Sequence, residues 1–329
     1  MFGLEIMFGA ENIRVEDCIF RNLSLGIYLS NGGSTERPNR IKIFRNTFAY
    51  NWANSEINYG NRAFGILGGG FSNVEINQNF FYRNGWHPMI FTSIRTGFSH
   101  NVYLAGHAEN LRFEDNFSVD ASSMGLKIRS ADTNAYSNMK LNRNVFIKNP
   151  IGMGLGVEPR PTHHQYSNFE VNDNIITENG YVGSLPPYGN TNWAITFGSG
   201  ANGEFVRNLL VHNMSPTNAI AVRIDPYPSS NVQWRENVIH RYAGNSGIQN
   251  NAPSGIELIS NRVSTNDLEY EYRNPDYTME RYCQELSFSS CEEFYSMLLN
   301  RPANYWDYVY STELVQIMFR SAYTEVLGQ

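Results

Sequence analysis

The stretch IKIFRNTF at residues 41–48 recurs, with its asparagine in place, along most of the chain. The repeats are VEINQNFF (74–81), LRFEDNFS (111–118), MKLNRNVF (139–146), FEVNDNII (169–176), EFVRNLLV (204–211), VQWRENVI (232–239) and IELISNRV (256–263). Each combines an alternating strand pattern with an asparagine and a short apolar segment. The asparagines are 24 to 37 residues apart, and IRVEDCIF (13–20) fits one unit earlier with Cys18 at their position. A constant strand core with spacers of variable length predicts a solenoid whose loops project outward.

Asparagines stacked at one bend can hydrogen-bond to each other and to the neighbouring backbone, and asparagine tolerates the left-handed conformation that bends require. Two or three strands per coil with such a ladder resemble the right-handed parallel β-helix of the pectate-lyase superfamily. The resemblance covers roughly residues 4–267. It implies an all-β fold, a right-handed parallel β-helix of about eight to nine coils with a small α-helical C-terminal segment.

The pattern changes after about Leu268, where apolar residues begin to recur at helical spacing. SSCE (289–292) is typical of a capping box before a second helix, and Ser311 is placed to open a third. We therefore divide the chain into a parallel β-helix at 1–267 and a helical cap or flank at 268–329. The apolar faces of short helices must be covered, so we expect this segment to pack on the solenoid and protect an edge strand.

A second strand in each coil carries the polar residues of interest. MGLKIRS (124–130) and MGLGVEP (153–159) share the frame Met-Gly-Leu, and NVYLAG (101–106) precedes them. Leu126 and Ile128 fall on one face, and Lys127 and Arg129 on the other. This alignment predicts Lys127 between Tyr103 and Gly156, and Arg129 between Ala105 and Glu158. We call the residues at one strand position in successive coils a column. The alignment predicts that the column of Lys127 continues with Thr196 and Ala221, and that the column of Arg129 continues with Gly198 and Arg223.

The superfamily resemblance implies a chemistry for this cluster. Its polysaccharide lyases remove the proton on the carbon next to a uronate carboxylate, which requires that the carboxylate charge be neutralised. Arg129 can neutralise it by a bidentate contact. Lys127 is the expected base, because a nearby arginine disfavours a second cation, and Tyr103 is the expected acid, although these two roles are exchangeable. The simpler interpretation is an exposed polar face with an Arg129–Glu158 ion pair.

Residues around the cluster supply the predicted substrate-binding group. By position or register it consists of His107, Glu158, Arg160, His163, His164, Trp193 and Arg223. Aromatic rings in loops over a groove suit the apolar faces of sugars. Strand alternation predicts instead that His100 shares the inward face of Val102 and has a structural role.

Two other functions remain open from the residues. Glu158 and Asp225 are outward carboxylates that would suit a glycoside hydrolase, but the register separates them by more than ~10 Å. A uronate epimerase begins with the same proton abstraction as a lyase, and a non-catalytic carbohydrate-binding β-helix, such as an adhesin or tailspike, is the third class. Zinc-ligand spacing is absent, and no carboxylate group typical of Ca²⁺ is evident, so we expect no required cofactor and no metal site.

Composition limits the partners. A formal net charge of −6 over 329 residues gives no general attraction for nucleic acid, and no run of ~18 apolar residues predicts a membrane span. No signal peptide is visible, yet a secreted or periplasmic monomer acting on an acidic polysaccharide (alginate-, pectate- or glycosaminoglycan-like) fits best. We expect Cys18 to be a buried thiol, and Cys283 and Cys291 to be two thiols rather than a disulfide.

Overall fold

The computed structural model describes residues 1–53, 62–90, 93–129, 136–156, 166–180, 193–214, 220–242, 247–264, 270–302 and 306–326. In chain order the strands are β1 (Phe2–Ile6), β2 (Arg14–Glu16), β3 (Ile19–Arg21), β4 (Leu25–Ser30), β5 (Asn39–Phe44), β6 (Thr47–Ala49), β7 (Phe64–Asn77), β8 (Phe80–Tyr82), β9 (His100–Glu114), β10 (Phe117–Val119), β11 (Met124–Arg129), β12 (Tyr136–Asn142), β13 (Val145–Ile147), β14 (Ile151–Leu155), β15 (Tyr166–Asn172), β16 (Ile175–Thr177), β17 (Ile195–Phe197), β18 (Gly200–Val206), β19 (Leu209–Val211), β20 (Val222–Ile224), β21 (Ser230–Arg235), β22 (Val238–His240), β23 (Ile248–Asn250), β24 (Ile256–Ile259) and β25 (Arg262–Ser264). The helices are α1 (Met279–Glu285), α2 (Cys291–Leu299) and α3 (Thr312–Ala322), with a 3₁₀ turn at Tyr308–Tyr310.

These strands stack in parallel into three sheets, one strand of each per coil. The front sheet contains β1, β4, β11, β14, β17, β20, β23 and the first halves of β7 and β9. The side sheet contains β2, β5, β12, β15, β18, β21, β24 and the second halves of β7 and β9. The rear sheet runs from β3 through β6, β8, β10, β13, β16, β19 and β22 to β25. The predicted all-β parallel solenoid is confirmed.

The interior is filled by the inward residue of each strand, which stacks on its equivalent in the next coil. Ile128, Leu104 and Leu155 belong to this core and are at most 1 % exposed. Stacking like residues lets each coil bury its apolar face on its neighbours, as the repeat predicted.

The predicted asparagine ladder runs along the bend between the side and rear sheets. Each amide donates to the next through Asn46, Asn79, Asn116, Asn144, Asn174, Asn208, Asn237 and Asn261, over 2.8 to 3.1 Å. The left-handed residue of the bend is not the asparagine but the one before it, such as Asp115 (φ 56°) or Arg143 (φ 56°). The ladder asparagine instead serves to satisfy buried backbone groups: Asn144, for example, donates to the Phe113 carbonyl at 2.8 Å.

The three helices lie against the outward side of the rear sheet. Phe294 and Tyr295 of α2 and Phe319 of α3 pack with Phe117 and Val211 in one apolar cluster. Within the described residues the helices therefore flank a sheet face and do not cap an edge strand. The predicted division at 267/268 falls outside the described residues and stays a prediction. None of the described helices is both long enough and apolar enough to cross a membrane.

The cysteine expectations were wrong. Cys283 and Cys291 form a disulfide that joins α1 to α2, because the short turn between the helices brings both side chains together. Cys18 is a free thiol but is exposed. Its backbone N–H still donates to the Asn46 side chain at 3.0 Å, as its ladder position predicted.

Candidate active site on the front sheet

The outward column of the front sheet brings Tyr103 and Lys127 side by side. Tyr103 pairs with Lys127, and Ala105 with Arg129, as the sequence predicted. On the other side Lys127 pairs with Gly154, not Gly156, so the alignment on the shared Met-Gly-Leu frame was wrong by two residues. A slip of two keeps every side chain on its own face, so the apolar pattern does not oppose it. From the rear-sheet pair Val119–Ile147 to the front-sheet pair Met124–Ile151, the chain advances by five residues in one coil and by four in the next.

Two other predicted placements depend on the register. The Gly156 N–H donates to the Ile128 carbonyl at 2.9 Å, but Glu158, the predicted neighbour of Arg129, lies outside the described residues, so that pairing stays a prediction. The column of Lys127 continues through Gly154 and Thr196 to Arg223, which was predicted for the column of Arg129.

Lys127 and Tyr103 are in direct contact and nearly buried. The Lys127 Nζ lies 5.1 Å from the centroid of the Tyr103 ring, and the two residues are 5 % and 7 % exposed. The Tyr103 ring also packs at 5.6 Å on Phe64, in an apolar cluster separate from the interior of the solenoid. An outward lysine held at this burial differs from the solvated surface lysine of the simpler interpretation.

His100 belongs to the same cluster, which alternation did not predict. Its ring lies 5.5 Å from that of Tyr103 and 5.9 Å from that of Phe64. The Nδ1 atom accepts from the Met124 backbone at 3.3 Å, and Nε2 has no hydrogen-bond partner among the described residues. Burial holds the pKa of His100 well below its usual range, and the charges of Lys127 and Arg62 lower it further. His100 is the first residue of β9, at a corner, where period-two alternation does not hold.

A β-bulge shapes the outer margin of the site. Gly69 pairs with Ala105 but Phe71 pairs with Ala108, so β9 carries one extra residue at the corner between front and side sheets. Gly106 takes up the bulge with φ 80°, in the left-handed region that glycine adopts without a steric penalty. His107 and Arg129 are half-buried, and His107 follows the bulge two residues after the partner of Arg129. Bulges of this kind re-aim side chains next to active sites.

A second polar group lies three coils along the same face, about 14 Å from Lys127. The Arg223 guanidinium lies 5.0 Å from the Trp193 ring centroid, and its Nε is 2.9 Å from Asp225 Oδ1. Burial raises the pKa of Asp225, and Arg223 opposes that rise. Trp193 and Arg223, predicted separately as substrate-binding residues, thus form one pair.

Four predicted substrate-binding residues cannot be placed. Glu158, Arg160, His163 and His164 lie outside the described residues. In the described ranges, no three or more His, Cys, Asp or Glu side chains are grouped as a metal site would need.

Residues 2–193 match the family model described as the right handed beta helix region. The chain belongs to the right-handed β-helix family. This match confirms the right-handed parallel solenoid that the sequence predicted. No curated protein matches the chain.

Solved structures resemble this β-helix at low identity. The periplasmic alginate epimerase AlgG superposes with a TM-score of 0.51 and 14 % identity, over 75 % of this chain and 50 % of that one. The Streptococcus pneumoniae surface protein and adhesin PfbA gives 0.35 and 10 %, over 80 % and 88 %. Endopolygalacturonase I from Stereum purpureum gives 0.30 and 12 %, over 80 % and 92 %. The chain spans half the length of the epimerase, and the likeness to that structure shows the fold alone.

Proposed function

We propose that this β-helix is a polysaccharide lyase that cleaves a uronate-containing polysaccharide by β-elimination on its front sheet. Lys127 is the proposed base, Arg129 neutralises the carboxylate and Tyr103 is the acid. The observation that carries the proposal is the nearly buried contact between the Lys127 amine and the Tyr103 ring, with Arg129 two residues further along the same strand.

The reaction needs three functions within one sugar's reach. A base takes the proton from the carbon next to the carboxylate, and the electron pair left behind forms a carbon–carbon double bond as the neighbouring bond to the glycosidic oxygen breaks. An acid gives that oxygen a proton. The intermediate places charge on the carboxylate, which a guanidinium stabilises by two parallel hydrogen bonds. Half-buried Arg129 is two residues from Lys127 on the same strand, and alternation sets both on the same face.

Two opposing effects act on Lys127. Burial and the neighbouring Arg129 disfavour its charged form, whereas the face of the Tyr103 ring favours a cation. An uncharged amine is the base of the proposed assignment. A retained ammonium would instead favour the phenolate of Tyr103, and the two residues would exchange roles. Substituting Lys127 and Tyr103 in turn distinguishes the two assignments. Loss of the residue that acts as the base removes the part of the pH dependence of kcat/KM that reports its deprotonation.

The proposed substrate-binding surface extends along the front sheet to Arg223. A guanidinium against an indole ring offers a charge for a second carboxylate and an apolar surface for a sugar face. Because this pair is about 14 Å from Lys127, it would contact a sugar a few units away along the chain. We therefore assign acidic polysaccharides as substrates, with alginate, pectate and glycosaminoglycans as the candidates. His107 and the four residues outside the described ranges remain proposed contributors.

The test follows the ultraviolet absorbance of unsaturated uronate on those three substrates. Lys127→Ala and Tyr103→Phe should fold normally and lose about 10²- to 10⁴-fold in rate. Arg281→Ala and Tyr308→Phe, exposed residues of the helical segment, are the matched controls and should retain full rate. Full activity of Lys127→Ala would overturn the assignment of the site.

A glycoside hydrolase is the second candidate, because burial raises the pKa of Asp225 as a general acid requires. Its predicted partner carboxylate, Glu158, lies outside the described residues. Release of reducing ends without unsaturated product, abolished by Asp225→Asn, would select this reaction over β-elimination.

We also propose that the protein acts outside the cytoplasm, in a secreted or periplasmic location. The Cys283–Cys291 disulfide supports this, because such bonds persist in oxidising compartments. The mass of the protein purified from its native compartment should show both sulfurs oxidised. The expectations of a monomer with no required cofactor stay predictions, and a chelator should leave the rate unchanged.

A further inference from the structure

The side sheet carries an outward column of charges in every coil from the first to the seventh. Arg14 pairs with Lys42, Lys42 with Glu75, Glu75 with Arg112, and Arg112 with Lys140. The column continues through Glu170 and Glu204 to Gln233 and Glu257. Its first half is mainly basic and its second half mainly acidic, which a column serving solubility alone does not require.

A long groove runs beside this column, parallel to the solenoid axis. One stretch of about 560 Å³ is lined from Arg14 to Lys140, and a second of about 550 Å³ is lined from Lys140 to Gln233. The two stretches share Asn138 and Lys140, so they form one continuous groove. Coils are about 4.8 Å apart, and the basic stretch therefore extends for about 19 Å.

The far wall of the groove is an external ladder of amides. Asn110 donates to Asn73 at 2.8 Å and Asn138 to Asn110 at 3.0 Å, and all three are exposed. Each amide uses one of its two N–H groups in the ladder, and its oxygen has a second lone pair. The wall therefore offers a donor and an acceptor once per coil, which suits the hydroxyl groups of a regular polymer.

The basic stretch is lined by five cations, Arg14, Arg40, Lys42, Arg112 and Lys140, against one carboxylate, Glu75. Carboxylates outside that stretch pair with four of these cations: Glu16 with Arg14, Glu11 at 2.6 Å from Arg40, Glu114 at 2.7 Å from Arg112, and Glu170 at 3.0 Å from Lys140. Lys42 pairs with Glu75 at 3.4 Å, and the side chains of Lys42, Arg112 and Lys140 are 55 %, 52 % and 48 % exposed. Exposed ion pairs contribute little, so a ligand carboxylate can replace Glu11 and Glu170 at small cost, whereas buried Glu114 keeps Arg143 and Asn142 as further partners.

We propose that the basic half of the side-sheet groove is a second, non-catalytic binding site for a linear acidic polysaccharide that lies along the solenoid axis. Charge complementarity and the repeated amides identify the ligand class. The residues lining the basic stretch include no aromatic ring, which single-stranded nucleic acids use for stacking. The site is on a different sheet from Lys127 and holds whether or not the front sheet performs β-elimination.

The experiment measures binding of size-defined oligouronates to the double variant Lys127→Ala/Arg129→Ala, which removes the front-sheet cluster. On that background, Lys42→Gln/Arg112→Gln/Lys140→Gln removes three basic groups of the groove. The matched control is Glu170→Gln/Glu204→Gln/Glu257→Gln, from the acidic half of the same column. We expect the basic triple variant to weaken binding about tenfold, with binding that falls as salt rises, and the acidic triple variant to bind at least as well as its parent.

Three results would overturn the proposal: equal binding by the basic triple variant, equal binding of neutral dextran, or tighter binding of a single-stranded oligonucleotide. The lyase proposal fails separately, through the absence of unsaturated product with the wild-type protein. If the protein binds oligouronates but forms no unsaturated product, the lyase proposal is wrong. If it forms unsaturated product but the basic triple variant binds as well as its parent, the proposal of a side-sheet binding site is wrong.

Discussion

The front and side sheets are built from the same strand alternation but hold their polar residues in opposite ways. The side sheet repeats charged residues coil after coil, exposed and paired with their neighbours, as in Lys140 with Glu170. The front sheet has few charges in the described column, and Lys127 there is 5 % exposed against an aromatic ring. Exposed charges cost little to keep, whereas a nearly buried amine is expensive. On the front sheet it is therefore the burial of a polar residue that needs a functional explanation, whereas on the side sheet it is the order of the charges along the column.

The comparison predicts its largest effect for Arg129. Arg129→Ala should lower the rate of β-elimination by about 10²- to 10³-fold, because the developing carboxylate charge loses its donor. Arg129→Lys should recover part of the rate, since charge returns without bidentate geometry. Steady-state absorbance assays measure both. Glu204→Gln, on the acidic half of the side sheet, is the control, and an equal loss there would remove the distinction between the sheets.

The two asparagine ladders extend the comparison to stability. Buried Asn144 donates to Phe113 and Asn174 and accepts from the backbone and side chain of Asn116. Asn144→Ala should destabilise the fold by about 3 kcal/mol, because it leaves buried groups unpaired.

Exposed Asn138 of the outer ladder has a left-handed φ of 55°, so its matched variant is Asn138→Gly, which keeps that conformation. Its cost should stay below about 0.5 kcal/mol in urea unfolding. Similar losses of unfolding free energy for Asn144→Ala and Asn138→Gly would show that burial does not determine how much a ladder asparagine contributes to stability.

Sequence predicted the parts of this molecule that repeat. The asparagine ladder and the Tyr103–Lys127 pairing follow from residue types that recur at the same positions of successive strand repeats. The pairing of Lys127 with Gly154 does not, because a two-residue slip leaves the apolar pattern intact and the recurring Met-Gly-Leu frame favours the other register. His100 was missed because a residue at a corner leaves the alternation. The disulfide was missed because a spacing of eight residues between two cysteines does not itself fix their geometry.

A buried histidine of the rear sheet predicts a pH dependence. Burial, together with smaller effects of Arg241 and His240, lowers the pKa of His212 from 6.5 to about 4. Its Nε2 contacts the Tyr277 carbonyl at 3.0 Å and the Tyr323 hydroxyl, both in the helical segment. The folded state holds the neutral form, so this stability is present above pH 6.5 and lost as pH falls toward 4, by at most about 3 kcal/mol.

Urea unfolding at pH 7 and pH 4.5 measures that loss. His212→Phe should be less stable at pH 7 and show a shallower fall toward pH 4.5. An unchanged slope would assign the acid sensitivity to groups other than His212.

The smallest effect separates a functional Lys127 from a structural one. Lys127→Met keeps the length of the side chain and replaces a nearly buried amine with an apolar group, so the free energy of unfolding should stay within about 1 kcal/mol of wild type or rise. Lys140→Met on the exposed side sheet should change it by less than about 0.5 kcal/mol. If Lys127 is kept for function at a cost to stability, its replacement should raise the free energy of unfolding of the protein and abolish activity. A fall of more than about 2 kcal/mol for Lys127→Met would instead mean that its ammonium holds the front sheet together, and the contrast between the two sheets would then be one of packing.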